Sequence, residues 1–161
     1  MKYTVEFKLP NYKISVFGLD VDRTAIATGR NLRISPKHAR EICREIKGKY
    51  LESAQEYLEQ VVNLERSVPF RRYRKKVPHR SDLVKWPTGR YPQKAAKEIL
   101  RVLENAEQNS SFKGLEVSRL RITHMAAQRG RKIRGFTPRA HGRSSPSHQT
   151  LTHIEVVVTE E

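Results

Sequence analysis

Cysteine is nearly absent from this chain of 161 residues, and so are long apolar runs. The single cysteine, Cys43, excludes an internal disulfide and any cysteine-rich zinc site, which favours a reducing, intracellular setting. Nowhere do about eighteen apolar residues run together, as a membrane-spanning helix would require. The opening segment alternates charged and apolar residues and lacks the apolar core of a secretory signal. We therefore expect neither secretion nor a membrane span.

Acidic residues are missing from two long stretches, which hold the excess of positive charge. Residues 117–154 contain eight basic residues and no Asp or Glu, and residues 66–81 contain seven basic residues and again no acid. The rest of the chain holds 17 basic and 17 acidic residues, so these two basic segments account for the net charge of +15. Segments of one sign repel themselves unless a polyanion neutralises them, and the phosphate backbone of RNA is a natural partner.

The basic residues of both segments are the candidate RNA ligands. Arginine predominates in the later segment, and its planar guanidinium can bind phosphate with two hydrogen bonds and stack on bases. His141 can stack on a base or donate a hydrogen bond to phosphate. The candidate RNA-binding residues are Arg71, Arg72, Arg74, Lys75, Lys76, Arg119, Arg121, Arg129, Arg131, Lys132, Arg134, Arg139, His141 and Arg143.

Three segments carry apolar residues at the spacing of an α-helix. The first has Ser35 as N-cap, Pro36 at the first helical position and Gly48 at its end. The second covers about residues 50–65, and the third runs from near residue 93 to around residues 109–111. Between the second and third helices, the proline-containing residues 66–91 are expected to form a long irregular insertion.

Two segments near the end of the chain alternate apolar and polar residues as β-strands do. They lie at about residues 120–124 and 154–158, and the polar stretch between them is rich in glycine and proline. We expect a two-stranded arm, residues 119–153, whose far end contacts nothing else in the chain. The predicted fold is a single α+β domain over residues 1–161, with three helices packed on a small antiparallel sheet and a long protruding β-hairpin.

The pattern of charges disfavours other classes of function. A metal-dependent nuclease needs carboxylates among the groups that bind nucleic acid, and both basic segments lack them. His148 and His153 are an odd number of residues apart, so on a regular strand their side chains would face opposite sides and could not bind one metal ion. We therefore predict no metal site. We likewise predict no cofactor, no small-molecule substrate and no catalytic residue. Residues 36–65 resemble a helix-turn-helix, but its second helix carries four glutamates and no Lys or Arg, a poor surface for the major groove.

Several short motifs match, in order and spacing, those of a known family. They are Arg33-Ile34-Ser35-Pro36-Lys37-His38-Ala39-Arg40 with Ile46-Lys47-Gly48-Lys49, then Ile99-Leu100-Arg101-Val102-Leu103-Glu104-Asn105-Ala106-Glu107-Gln108-Asn109, then Pro138-Arg139-Ala140-His141-Gly142-Arg143, and finally Thr152-His153-Ile154-Glu155-Val156-Val157-Val158. Together they cover most of residues 30–159. On these motifs the chain resembles the large-subunit ribosomal protein twenty-two family in its archaeal and eukaryotic form.

The resemblance implies a structural constituent of the large ribosomal subunit, in the cytoplasm, rather than an enzyme. In this family a long hairpin penetrates the large-subunit (23S-type) rRNA beside neighbouring large-subunit proteins, and its tip lines the nascent-peptide exit tunnel. Carried onto this sequence, the tip that would meet the nascent polypeptide is expected at Arg131, Lys132, Ile133, Arg134 and Gly135. Residues 66–91 depart from the family's shorter bacterial pattern.

An RNA-binding or chaperone-like protein that acts outside the ribosome would have the same composition, body and arm. Only the family motifs favour the ribosome over this alternative. Co-sedimentation with large ribosomal subunits after a high-salt wash distinguishes the two.

Overall fold

The computed structural model describes residues 8–9, 12–13 and 22–161 of the chain. Its strands are β1 (Lys8–Leu9), β2 (Tyr12–Lys13), β3 (Thr24–Leu32), β4 (Val68–Pro69), β5 (Gly89–Arg90), β6 (Leu120–Ile133), β7 (Phe136–Pro138), β8 (Ser144–Pro146) and β9 (Gln149–Glu160). Its helices are α1 (Pro36–Ile46), α2 (Leu51–Val62) and α3 (Gln93–Phe112), with one 3₁₀ turn at Val117–Arg119. The predicted α+β class, with three helices and an antiparallel sheet, is confirmed. Across the described ranges, no helix is both long and apolar enough to cross a membrane.

The main sheet consists of β3, β9 and β6 in that order, so that β9 has an antiparallel neighbour on each side. Both faces of β9 are covered, because every residue from 154 to 158 is buried. The alternating pattern predicts parts of β6 and β9 but not β3. Small residues and an irregularity between Gly29 and Leu32 interrupt the apolar alternation of that strand.

The three helices bury their apolar faces in one core that they share with the sheet. This core includes Ile42 and Ile46 of α1, Leu51 and Leu58 of α2, Ile99 and Leu103 of α3, and Ile122, Val156 and Val158 of the strands. Burial of each large side chain contributes roughly 1.5–3 kcal/mol to the free energy of unfolding. Cys43 lies in the same core, and burial raises the pKa of its thiol to about 12.

The helix boundaries follow the local sequence signals closely. α1 begins at Pro36 behind Ser35, as predicted, although the Ser35 side chain makes no capping hydrogen bond. Gly48 follows the helix with a φ of 86°, a left-handed conformation that glycine adopts without strain. α3 ends at Phe112, one residue after the predicted stop around residues 109–111. There the hydroxyls of Ser110 and Ser111 donate to the carbonyls of residues 106 and 107, so both side chains find hydrogen-bond partners within the helix.

The backbone of the insertion between α2 and α3 is held by two carboxylates, one from α1 and one from the insertion itself. Glu41 of α1 is buried, and it accepts hydrogen bonds from the N–H groups of residues 71, 72 and 73 at 3.0, 3.0 and 3.2 Å. Asp82 accepts from the N–H and the hydroxyl of Ser67 at 2.7 and 3.0 Å. These contacts add to the short β4–β5 ladder and to the isolated bridge between His79 and Thr88.

Replacing Glu41 with glutamine should loosen the backbone of residues 71–73. The amide keeps one acceptor oxygen and places an NH₂ group against N–H donors, so we expect a loss of about 1–3 kcal/mol in the free energy of unfolding. The matched control is Glu45→Gln, which removes only partly exposed ion pairs and should cost under about 1 kcal/mol. Urea unfolding measures the energies, and hydrogen exchange of the three amides reports the local effect. Equal exchange in both variants would contradict the role assigned to Glu41.

Candidate nucleic-acid interface

The hairpin formed by β6 and β9 carries the later basic segment. The pairing extends from Leu120 opposite Glu160 to Ile133 opposite Gln149, and β7 and β8 then continue it to Pro138 opposite Ser144. None of the residues from 126 to 150 is buried. The distal hairpin therefore offers its side chains and backbone to a partner instead of to a core of its own.

Most of the predicted arm residues lie on this exposed hairpin. Arg131 and Lys132 are on β6, Arg134 lies in the link to β7, and the other distal cations flank the turn. All of the following are exposed: Arg129, Arg131, Lys132, Arg134, Arg139, His141 and Arg143. Among the described residues, the distal part of the hairpin contains no carboxylate, because residues 117–154 include no Asp or Glu. The first acidic residue of β9 is Glu155, near the base of the hairpin.

The chain reverses just after the segment where the family resemblance places the tip. The predicted tip residues Arg131 to Gly135 lie at the end of β6 and in the link that follows, where the Ser147 N–H bonds the Gly135 carbonyl at 2.7 Å and the pairing goes on. The turn itself spans residues 139–143, closed by the Arg139 N–H on the Arg143 carbonyl at 2.8 Å. His141 and Gly142 have φ of 57° and 65°, which makes the tight reversal. Gly135 is thus a link residue and not the turn.

Two of the predicted RNA-binding residues at the base of the hairpin pair with carboxylates of the protein. Arg119 pairs with Glu116 at 3.1 Å, and Arg121 pairs with Glu161 at 2.8 Å while also donating to the Gly48 carbonyl. A hydrogen bond with Glu161 and the charge of that carboxylate raise the pKa of Arg121. Both arginines lie at the base of the hairpin, so their positive charge is already partly neutralised there.

The base of the arm contains a close contact between a glycine and a histidine. His153 accepts a hydrogen bond from the backbone N–H of Asn31 at Nδ1, at 3.1 Å. A Cβ added to Gly130 would come within 2.7 Å of His153 Nε2, so only glycine fits under this ring. His153 therefore ties β3 to both strands of the hairpin. No cluster of three metal-ligating side chains is found where the structure describes the chain.

The earlier basic segment is exposed above its anchored backbone. Arg71, Arg72, Arg74, Lys75 and Lys76 are all exposed, and only Arg71 among them makes an ion pair with a described residue, to Glu45 at 3.4 Å. Beside them, burial and the charges of Arg90 and Lys37 lower the pKa of His38, which lies edge-on to Phe70. A cavity of about 350 Å³ lies here and adds Lys37 and Arg90 to the cationic surface.

A second cavity, here named the α1 groove, joins the two basic segments. It measures about 560 Å³ and is lined by Pro36, Arg40, Cys43, Arg44, Lys47, Arg72, Tyr73, Met125, Ala126, Ala127 and Arg129. Its lining holds five basic side chains and no acidic one. A hydrogen bond with Arg40 lowers the pKa of Tyr73, and a second with Arg129 adds to this effect.

Sequence reasoning missed the helical half of this groove. Arg40, Arg44 and Lys47 lie outside the acid-free segments, and α1 also contains Glu41 and Glu45, so the helix reads as balanced in charge. The spacing of four and three residues places the three cations on one helical face, a signal that the composition of the segment conceals. Of the predicted residues, Arg72 and Arg129 contribute to the groove.

The chain is similar to known proteins over most of its length. A family model described as ribosomal protein L22p/L17e matches residues 27–159. The large ribosomal subunit protein uL22 of Methanopyrus kandleri is 55% identical over 151 residues, which is 93% of this chain and 95% of that protein. The protein of the same name from Methanothrix thermoacetophila is 53% identical over 150 residues, 93% of this chain and 96% of that protein. That of Archaeoglobus fulgidus is 52% identical over 138 residues, 86% and 89% of the two chains.

Alanine at Gly130 should strain the base of the arm. The added methyl group collides with the His153 ring, and we expect a loss of about 1–3 kcal/mol in the free energy of unfolding. The control is a double-mutant cycle with His153→Ala, which removes the colliding ring. We expect the double variant to be more stable than the sum of the single effects, as measured by urea unfolding. Strict additivity would show that the two residues are not in contact.

Proposed function

The chain belongs to the ribosomal protein L22p/L17e family, and from this premise we propose that its arm and its basic insertion bind large-subunit rRNA. As a member, it is a structural constituent of the large ribosomal subunit and not an enzyme. The observation that carries the proposal is the exposed arm, which presents cations on both sides of its turn and no carboxylate across residues 117–154. Its natural counterion is a phosphate backbone.

The arm is suited to enter folded RNA. β6 contains 14 residues, which at about 3.3 Å per residue allows a reach of about 45 Å. Arg131, Lys132 and Arg139 would neutralise phosphates that RNA packing brings close together, and each contact releases counterions. The exposed Ile133 and Phe136 would contact bases, since they have no core of their own to join.

The insertion would form a second contact with the rRNA. Its cations lie on a backbone that Glu41 already holds in place, so binding costs less conformational entropy than the ordering of a free loop would. Arg74, Lys75 and Lys76 are exposed without an ion pair to any described residue. Body and arm together would act as an electrostatic clamp on rRNA, beside neighbouring proteins of the large subunit.

We further propose that the distal arm lines the nascent-peptide exit tunnel. The segment from Arg131 to Gly135, expected at the tip from the family resemblance, is followed by the turn at residues 139–143. Both lie in the part of the hairpin where no side chain is buried. A cationic wall of this kind would face the emerging polypeptide while the rest of the arm holds rRNA.

Binding of the protein to large-subunit rRNA should weaken steeply with salt. The triple variant Lys132→Gln/Arg134→Gln/Arg139→Gln should lower the slope of log K against log salt by roughly 2–3, or about 0.7–0.9 for each lost contact. Filter binding at several salt concentrations measures both slopes. Specific binding that barely changes with salt would exclude multiple phosphate contacts.

Sedimentation of cell extract on a high-salt gradient should leave the protein stoichiometric with large subunits, whereas release would favour the extra-ribosomal RNA binder.

A crosslinking probe on the distal arm should reach the nascent chain. The probe is attached to Lys132→Cys, and Lys97→Cys on the exposed face of α3 serves as the control. Cys43 does not compete for the reagent, because it is buried and its thiol has a pKa of about 12. We expect crosslinks to nascent polypeptide from position 132 and none from position 97 in stalled ribosomes. No crosslink from position 132 would refute the placement in the tunnel.

A further inference from the structure

We propose that the α1 groove is a phosphate-binding site for an rRNA strand that passes from the base of the arm to the basic insertion. This inference rests on the proposed function and adds a third contact surface, on the body of the protein. It assigns a role to Arg40 and Arg44 of α1 and to Lys47 at its C-cap, which lie outside both basic segments. The groove also uses Arg72 of the insertion and Arg129 of the arm.

The first argument is the lack of counter-charge inside the groove. The carboxylates of α1 are both engaged elsewhere, Glu41 with the backbone of residues 71–73 and Glu45 with Lys49 and Arg71. Among the described residues, none of the five groove cations forms an ion pair. Like charges placed this close disfavour the empty state, so a bound polyanion relieves a repulsion that the fold itself creates.

Tyr73 provides the second argument. Tyr73 lines the groove together with Arg40 and Arg129, interaction with these two guanidinium groups lowers the pKa of its hydroxyl, and this hydroxyl can donate its O–H to a bound group. A phosphate oxygen bound in the groove would accept this bond together with those of the two guanidinium groups. The arginines come from α1 and β6, so the groove brings the tyrosine together with phosphate ligands from two different elements.

The shape of the groove supports the same ligand. Met125, Ala126 and Ala127 form an apolar wall on the β6 side, and low-polarity walls strengthen the interaction between cations and an anion beside them. A volume of about 560 Å³ falls within the range of about 300–1,000 Å³ that accommodates whole small ligands. The site is therefore large enough for a nucleotide unit and not merely for a single ion.

The groove lies on a continuous cationic path, which favours RNA over an acidic peptide. Arg72 lines both this groove and the neighbouring cavity, where Lys37, Arg74, Lys75 and Arg90 follow. Arg129 connects the other end of the path to the arm. Repeated cations along a path match the repeated charge of a phosphodiester backbone, and guanidinium groups bind phosphate with two parallel hydrogen bonds.

The test compares two full-length variants that each lose two positive charges. Arg40→Gln/Arg44→Gln alters the groove, and Lys97→Gln/Arg101→Gln alters the exposed face of α3. Affinity for large-subunit rRNA is measured at several salt concentrations, and circular dichroism checks that both variants fold. We expect the groove variant to lower the salt slope by about 1.4–1.8, which is 0.7–0.9 for each lost phosphate contact, and the control to leave it unchanged.

The outcomes separate this inference from the proposed function. If the wild type binds rRNA with a steep salt slope but the groove variant has the slope of the control, the groove does not bind phosphate. In that case, loss of an acidic ribosomal protein partner by the groove variant would identify a peptide as its ligand. If the wild type itself shows no salt-dependent binding, the proposed function fails.

Tyr73→Phe should weaken binding to rRNA several-fold without changing the salt slope, because only a neutral hydrogen-bond donor is lost. Unchanged binding would overturn the role of the Tyr73 hydroxyl.

Discussion

The buried carboxylate of Glu41 determines where much of the positive charge of this protein lies. It accepts hydrogen bonds from three consecutive N–H groups at residues 71–73, which no other element of the sheet or helices satisfies. Because both oxygens of this carboxylate accept hydrogen bonds from the insertion, the Glu41 side chain is buried. The neighbouring Arg40 and Arg44 lie on the exposed face of α1. One interaction therefore orders the insertion and also keeps its own negative charge out of the α1 groove.

The arm depends on a different constraint, the double-sided burial of β9. Residues 154–158 have no exposed side chain, so this strand is held firmly at the base of the hairpin. From residue 150 back to the turn at residues 139–143, no side chain is buried. Only the backbone pairing of β9 with β6 and of β7 with β8 holds this part of the hairpin together. A rigid base with an unsupported end suits a protein whose remaining contacts come from a partner, since an isolated ribbon is marginally stable in water.

Local sequence signals predicted the three helices and parts of two of the three strands of the main sheet. Proline at position 36, glycine at 48 and the helical spacing of apolar residues indicated α1, and alternation indicated β6 and β9. β3 was not predicted, because its small residues and its irregularity after Gly29 interrupt the alternation of apolar and polar residues that marks a strand. The position of the turn at residues 139–143 was not predicted either, because His141 has a left-handed φ that residues other than glycine rarely adopt.

The sequence by itself determined the class of partner, because two long segments without acids require a polyanion wherever they lie in space. It also carried the motifs of the family, which follow the order of the chain. Only the tertiary structure decided which cations act together. Arg72 and Arg129 are far in sequence from each other and from the pair Arg40 and Arg44, and all four meet in one groove after α1, the insertion and β6 have packed. The physical reason is that charge composition is additive along a chain, whereas a binding site depends on the direction in which each side chain points and on which carboxylates are already engaged.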